Sequence, residues 1–304
     1  MLDIILVIIP IFLLIFLGHV LRKKQFPGDG FWEPAERLTY YVFFPALLIS
    51  SLAQADFTEV EAAPMIGVLA LSIGLMSLLA LGLKRLLSID GPSFSSLYQS
   101  VIRFNTYIGF SVAAAYYGAP GMTAAALVVA FLAPLVNILT VVALARYGKA
   151  GRPGLLRITK QVLSNPLILG CLIGLALNLT GLGLPPVIGP FLEIMGQASL
   201  PIGLLAVGAS LQLRALKSAG SLPLAAAGLK LFLLPLITFG ILQAWGVTGI
   251  TAAIPILFNA LPAAPVSYIM ARHLGGNAEL MAGLITLHTL LSMATVPIIL
   301  SLLA

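Results

Sequence analysis

Polar residues inside long apolar runs are where this chain could do chemistry, because hydrocarbon offers no water to satisfy them. Arg103-Phe104-Asn105-Thr106-Tyr107-Ile108-Gly109 interrupts one such run, and Phe258-Asn259-Ala260-Leu261-Pro262-Ala263-Ala264-Pro265 interrupts another. Pro262 and Pro265 remove two helical N–H donors, so nearby carbonyls lose their partners and a helix opens there. A helix restarting after such a break turns its positive end towards the membrane interior, which favours an anion. Two roles are open to Arg103: a bidentate anchor for a carboxylate, or a cation snorkelling to the membrane face. The plainer alternative for Asn105 and Asn259 is that each satisfies backbone groups freed by a kink. Breaks in two separate runs favour a site.

A second group of polar residues is weaker. Asn137, His288 and Thr289 are candidates to line a cavity, with His288 able to take a coupling proton; the alternative for each is an interhelical hydrogen bond. Glu193 and Gln197 are candidates for a cation, unless Glu193 lies at the outer interface. Lys230 is expected to snorkel inwards from the start of its run, and Gly196, Gly203 and Gly208 with Ser210 to form a close-packing face. No GxxxxGK[ST], HExxH, CxxC or GxSxG pattern occurs, so ATP-driven pumping and the familiar hydrolase chemistries lack their residues. The single Cys171 offers no disulfide framework or thiol metal site. No cofactor or metal is called for, an enzyme is not indicated, and a secondary carrier is what remains.

The elements that must position these residues are membrane helices. The chain has 304 residues, 60% hydrophobic and 9% charged, whereas a soluble domain carries roughly 25% charged residues. A net charge of +6 suggests nucleic acid only until the positions are read: the charges sit in short clusters between apolar runs. Taking about 20 apolar residues per crossing, about ten segments are expected, near 2–21, 35–53, 63–83, 95–117, 121–146, 163–180, 187–212, 223–244, 250–271 and 278–302. The first lacks a basic leader and a small-x-small cleavage site, so it reads as a retained helix. Basic residues follow the odd-numbered segments: Arg22, Lys23 and Lys24; Lys84 and Arg85; Arg146, Lys149, Arg152, Arg157 and Lys160; Arg214 and Lys217; Arg272. Asp56, Glu59 and Glu61 follow the second. By the positive-inside rule both termini lie outside a cytoplasmic membrane.

Weak internal symmetry accompanies this pattern. Gly18 precedes Pro45 by the same interval as Gly174 precedes Pro201, and Gly118 to Leu127 overlays Gly275 to Leu284 at nearly the same offset. Five segments per half make the second half enter from the opposite side, so the fold class expected is all-α integral membrane with two inverted repeats. These occupy 1–148 and 163–304, joined by a cytoplasmic loop at 149–162.

The chain resembles the auxin efflux carrier family, which includes plant PIN-type exporters and bacterial permeases associated with malonate or malate. The resemblance rests on Tyr41-Val-Phe-Phe-Pro45-Ala-Leu-Leu, Arg103-Phe-Asn105-Thr-Tyr-Ile-Gly109, Asn165-Pro166-Leu-Ile-Leu-Gly170, Leu200-Pro201-Ile-Gly-Leu-Leu-Ala-Val-Gly208-Ala-Ser210-Leu and Ala260-Leu-Pro262-Ala. It implies a scaffold of segments one, two, six and seven, and a transport domain of three to five and eight to ten. Segments four and nine are then broken and cross, with substrate at the crossing. Asn105 and Gly109 fall on one half of that crossing, Asn259, Leu261 and Pro262 on the other. The resemblance further implies elevator-like movement and a homodimer through the scaffold. The chain departs from many relatives in carrying Ser111 where they have proline, so its fourth-segment crossing is expected to rest on Gly109 and the hydroxyl. The partners expected are the lipid bilayer, a small carboxylate and H+ or Na+ as coupling ion. The alternatives are a sodium-coupled symporter of the bile-acid type and a ligand-binding membrane receptor or channel.

Overall fold

Long apolar runs dictate helices, since in hydrocarbon each backbone N–H must find its carbonyl within its own segment. The computed structural model describes residues 2–303 apart from 29, 59, 87, 150–163, 219 and 220; among the described residues every regular element is helical. The elements are α1 (Leu2–Lys23), α2 (Trp32–Leu38), α3 (Phe44–Ala53), α4 (Ala62–Leu83), α5 (Gly91–Ile102), α6 (Thr106–Tyr147) and α7 (Pro166–Leu179). Then come α8 (Ile188–Ser210), the single turn α9 (Ala215–Ser218), α10 (Leu222–Gly228), α11 (Leu234–Trp245), α12 (Gly249–Ala260), α13 (Val266–Leu274) and α14 (Ala278–Leu303).

Among the described residues, six stretches are long and apolar enough to cross a membrane: Ile4–Lys23, Ala62–Leu83, Gly91–Tyr147, Ile188–Ser210, Leu222–Trp245 and Ala278–Leu302. The protein is therefore a multi-pass membrane protein. The other expected segments are short, and some of the long stretches are divided, for reasons visible in their residues. α2 and α3 are joined by a π-helical turn, Thr39–Phe43, and α10 and α11 by another, Leu229–Leu233. Pro45 and Pro235 each follow such a turn; without an N–H neither can serve the carbonyl four residues back, and the widened turn absorbs the mismatch. α6 contains a kink at Gly118, whose φ of 63° suits glycine, so the fourth and fifth expected segments run together there. The connecting loop with Arg152, Arg157 and Lys160, like Glu59, lies outside the described residues.

Packing divides the helices by contact. α1 lies along α8, and α3 lies against both α7 and α8. Gly18 faces the Leu205 carbonyl and Gly208 faces the Ile15 carbonyl, so a Cβ at either would strike backbone. Small residues let two membrane helices approach this closely. Elsewhere α12 packs against α6, α11, α14 and α4, while α5 packs against α6, α14 and α4. Both interrupted helices belong to this second set.

Candidate functional site

Asp90 starts α5 by accepting a 3.2 Å hydrogen bond from the Ser93 N–H. The helix ends at Ile102; Arg103 is extended (φ −85°, ψ 154°), although its N–H still reaches the Gln99 carbonyl at 3.0 Å. Asn105 then caps α6, its Oδ1 accepting from the Tyr107 N–H at 3.1 Å and the Ile108 N–H at 3.3 Å. Asparagine is among the best residues for this task because its short amide reaches the unpaired donors of the first turn. The opening is thus at 103–105, upstream of Gly109 and Ser111. Ser111 lies inside α6 with its buried hydroxyl unpartnered, so of the two supports expected for the crossing, Gly109 and this hydroxyl, the hydroxyl bonds nothing at the break.

The second break follows the same logic with different residues. α12 ends at Ala260, Leu261 is extended (φ −70°, ψ 151°), and Pro265 leads into α13. The Tyr268 N–H bonds to the Pro265 carbonyl at 2.9 Å. Leu261 and Pro262 are buried and Pro265 is half-buried. The two breaks touch: the Phe104 and Phe258 rings meet edge to face at 5.3 Å. Gly109 packs so closely that a Cβ there would sit 2.7 Å from Leu261 Cδ1 and 3.0 Å from Phe258 Cζ.

Arg103 is only 8% exposed, which removes the snorkelling alternative. Its Nη1 donates to Asn137 Oδ1 at 2.8 Å and approaches Met270 Sδ at 3.3 Å, joining the first break to α6 and α13. Its Nε has no partner, and Asn105 Nδ2 is likewise buried and unpartnered. Among the described residues no carboxylate pairs with Arg103. Tyr40 lies within its electrostatic reach. A buried positive charge, two unspent N–H donors and a helix N-terminus therefore all lie within residues 103–106. That set suits an anion with acceptor oxygens.

The other expected residues are distributed differently. Asn259 Nδ2 donates to Ser72 Oγ at 2.9 Å and Thr238 Oγ1 at 2.7 Å, tying the end of α12 to α4 and α11 while its Oδ1 is unpartnered. The Tyr107 ring packs edge to face on Phe44 at 5.3 Å and lies over Gly203, towards α3 and α8. Thr289 bonds back to the Ile285 carbonyl of its own helix at 2.8 Å. His288 is buried with both ring nitrogens unpartnered. Lys230 does not snorkel: it lies in the π-turn between α10 and α11, fully buried and without a hydrogen-bond partner.

Gln197 and Glu193 line a separate cavity of about 500 Å³, with Gln54, Asp56, Ser50 and Thr123 among its other walls. Glu193 Oε1 accepts from Gln54 Nε2 at 3.0 Å. The Asp56 carboxylate at the rim is held below the usual carboxylate range by hydrogen bonds from the Thr58 backbone and side chain. Three residues with a bearing on the first break were not singled out in the sequence: Gln99, Met270 and Tyr40. Gln99 had a signal, being an amide in an apolar stretch one turn before Arg103. Met270 and Tyr40 had none, because a thioether or phenol in a membrane helix is unremarked until its neighbours are known.

Residues 154–300 match the family model described as Membrane transport protein. The chain is similar over nearly its whole length to two curated proteins. One, from Methanothermobacter thermautotrophicus and named "Uncharacterized transporter", is 22% identical, the match covering 96% of this chain and 95% of the relative. The other, from Rhizobium meliloti and named "Putative malonate transporter", is 26% identical, with 95% and 92% covered.

Proposed function

We propose that this chain, which matches the membrane transport protein family over residues 154–300 and resembles two transporter-named proteins over nearly its whole length, is a secondary carrier moving a small carboxylate across the cytoplasmic membrane. The observation that carries the reading is Arg103: a buried guanidinium beside a helix break, with a free Nε and no carboxylate opposite it among the described residues. An isolated charge in a low-dielectric interior is costly, and a bound carboxylate supplies the missing counter-charge. The name of the Rhizobium relative makes malonate the first substrate to try.

Substrate in this reading sits at the crossing, held by Arg103 and Asn105 with Tyr107, Gly109, Asn259, Leu261, Pro262 and Pro265 around it. Two inverted halves, 1–148 and 163–304, and ten crossings agree with the paired breaks and with the alternation of basic loops. That alternation also favours both termini outside. The close packing of α1, α3, α7 and α8 on one another supports a scaffold, past which the broken helices move like an elevator. The helices flanking the breaks, 91–147 and 249–274, carry no Asp or Glu, which disfavours the sodium-symporter alternative at the crossing.

Counterflow tests the proposal. Liposomes containing the purified protein and unlabelled malonate should accumulate labelled malonate from outside, whereas a channel or receptor gives no such exchange. Absence of saturable exchange across malonate and a panel of mono- and dicarboxylates rejects the carrier.

A further inference from the structure

Away from Arg103, the helices around the breaks enclose a second set of unpaired polar groups. Lys230 Nζ, both ring nitrogens of His288, and both amide atoms of Gln99 lack hydrogen-bond partners, and all three residues are 0% exposed. Lys230 and His288 are within electrostatic reach of each other. The π-turn that carries Lys230 packs against α5, which bears Gln99, and against α14, which bears His288, as well as α10, α11 and α12. Such groups are expensive to bury unsatisfied, and polar side chains kept inside a membrane bundle commonly mark an ion or proton pathway.

The chemistry of the cluster narrows the ion. α10, α11 and α12 bring no ionisable side chain; α14 brings His288 and, in its exposed first turn, Glu279; α5 brings Tyr98, whose ring neighbours Phe94 at 6.2 Å. Of the other helices against α14, α1 carries Asp3, His19, Arg22 and Lys23 near its ends, α9 carries Lys217, and α13 carries Tyr268, Arg272 and His273. A hard cation such as Na+ needs several oxygen ligands, and here the two basic groups present nitrogen. Two basic nitrogens within electrostatic reach of each other each make the other harder to charge in this medium, so the pair favours holding one proton over two. Resting on the reading of the chain as a carboxylate carrier, we propose that Lys230 and His288 are its proton-coupling site, with Gln99 linking that site to the first break.

The coupling follows from charge. Arg103 already places one uncompensated cation in the same helix set, so a proton at Lys230–His288 adds a second. A carboxylate at Arg103 offsets the first and makes the second easier to hold. By reciprocity, the bound proton favours the carboxylate to the same degree. The two therefore bind together and cross together, the proton moving from one aqueous face to the pair and from the pair to the other face. Gln99 is placed to communicate between the sites, because its carbonyl accepts the Arg103 N–H while its unpartnered amide lies on the helix facing the π-turn.

The experiment uses the full chain in liposomes enclosing a pH-sensitive dye, in sodium-free buffer, with protein-free liposomes as control. Two signals are read on the same preparation: labelled-for-unlabelled malonate exchange, and interior acidification when malonate is added outside. Wild type should show both. In Lys230→Met the acidification per malonate exchanged should fall about tenfold or more. His288→Gln, a milder change, should move the pH at which uptake is half-maximal. Wild-type exchange without acidification overturns the proton site and leaves the carrier standing. Absence of exchange removes the carrier and this inference together. Unchanged acidification per exchange in Lys230→Met, with an unchanged pH profile in His288→Gln, also overturns the proton site.

Discussion

Arg103 Nη1 donates a 2.8 Å hydrogen bond to Asn137 Oδ1, so a residue in the first break is held by one 34 positions further along the chain, beyond the kink at Gly118. The bond aims the guanidinium without neutralising it. Replacing Arg103 with Gln should therefore remove a charged hydrogen bond to substrate, worth about 1.5–3 kcal/mol, and raise the half-saturating malonate concentration roughly 10- to 100-fold. Arg103→Lys keeps the charge but loses the planar fork, so it should fall between. The concentration dependence of exchange measures both, and an unchanged midpoint in Arg103→Gln rejects the assignment.

Asn105 has two separable duties, cap and recognition. Asn105→Ala loses the acceptor for the Tyr107 and Ile108 N–H groups and should cost about 1 kcal/mol of stability. Asn105→Asp keeps the acceptor and suits the helix N-terminus, yet puts a negative charge where the substrate's should be. It should melt close to wild type in detergent while losing exchange. An active Asn105→Asp protein would remove Asn105 from the anion site.

The breaks were legible because their causes are local: a cap-forming asparagine and two prolines act on their own turn of backbone. What those breaks face was not legible, since burial between helices depends on every neighbour. Lys230 shows the difference. A lysine early in an apolar run ordinarily extends its ammonium to the interface, but here the π-turn that precedes Pro235 and the packing of α5, α12 and α14 enclose it. Gln197 shows it again: that its side chain lines the cavity beside Asp56 depends on how α8 packs against its neighbours. Tyr107 lies in the first turn of α6 just after the break, and only the packing shows its ring lying over Gly203.

Asn259 links three helices through one amide, bonding Ser72 and Thr238, and both hydroxyls also bond within their own helices. Loss of the amide thus leaves each hydroxyl with a partner. A double-mutant cycle of Asn259→Ala with Thr238→Val, read by melting in detergent, should give a coupling of about 0.6 kcal/mol, with ~1.7 as the upper end for such bonds in membranes. Strict additivity would place the amide elsewhere.

Contact between the breaks makes the most direct geometric prediction. The nearest obstacles to a Cβ on Gly109 are the ends of two side chains, Leu261 Cδ1 at 2.7 Å and Phe258 Cζ at 3.0 Å, rather than backbone. Gly109→Ala should therefore overpack the crossing by about 1–3 kcal/mol. Leu261→Ala alone should cost ~2–5 kcal/mol by opening a cavity. In the double mutant the new methyl occupies part of the space that Leu261 vacates, so the combined loss of stability should be smaller than the sum of the two. Melting the three variants beside wild type measures this, and a sum that is met or exceeded means the two breaks do not pack at Gly109. Recovery of malonate exchange along with stability in the double mutant would tie the same contact to transport, because a carrier whose broken helices no longer fit together cannot hold its substrate between them.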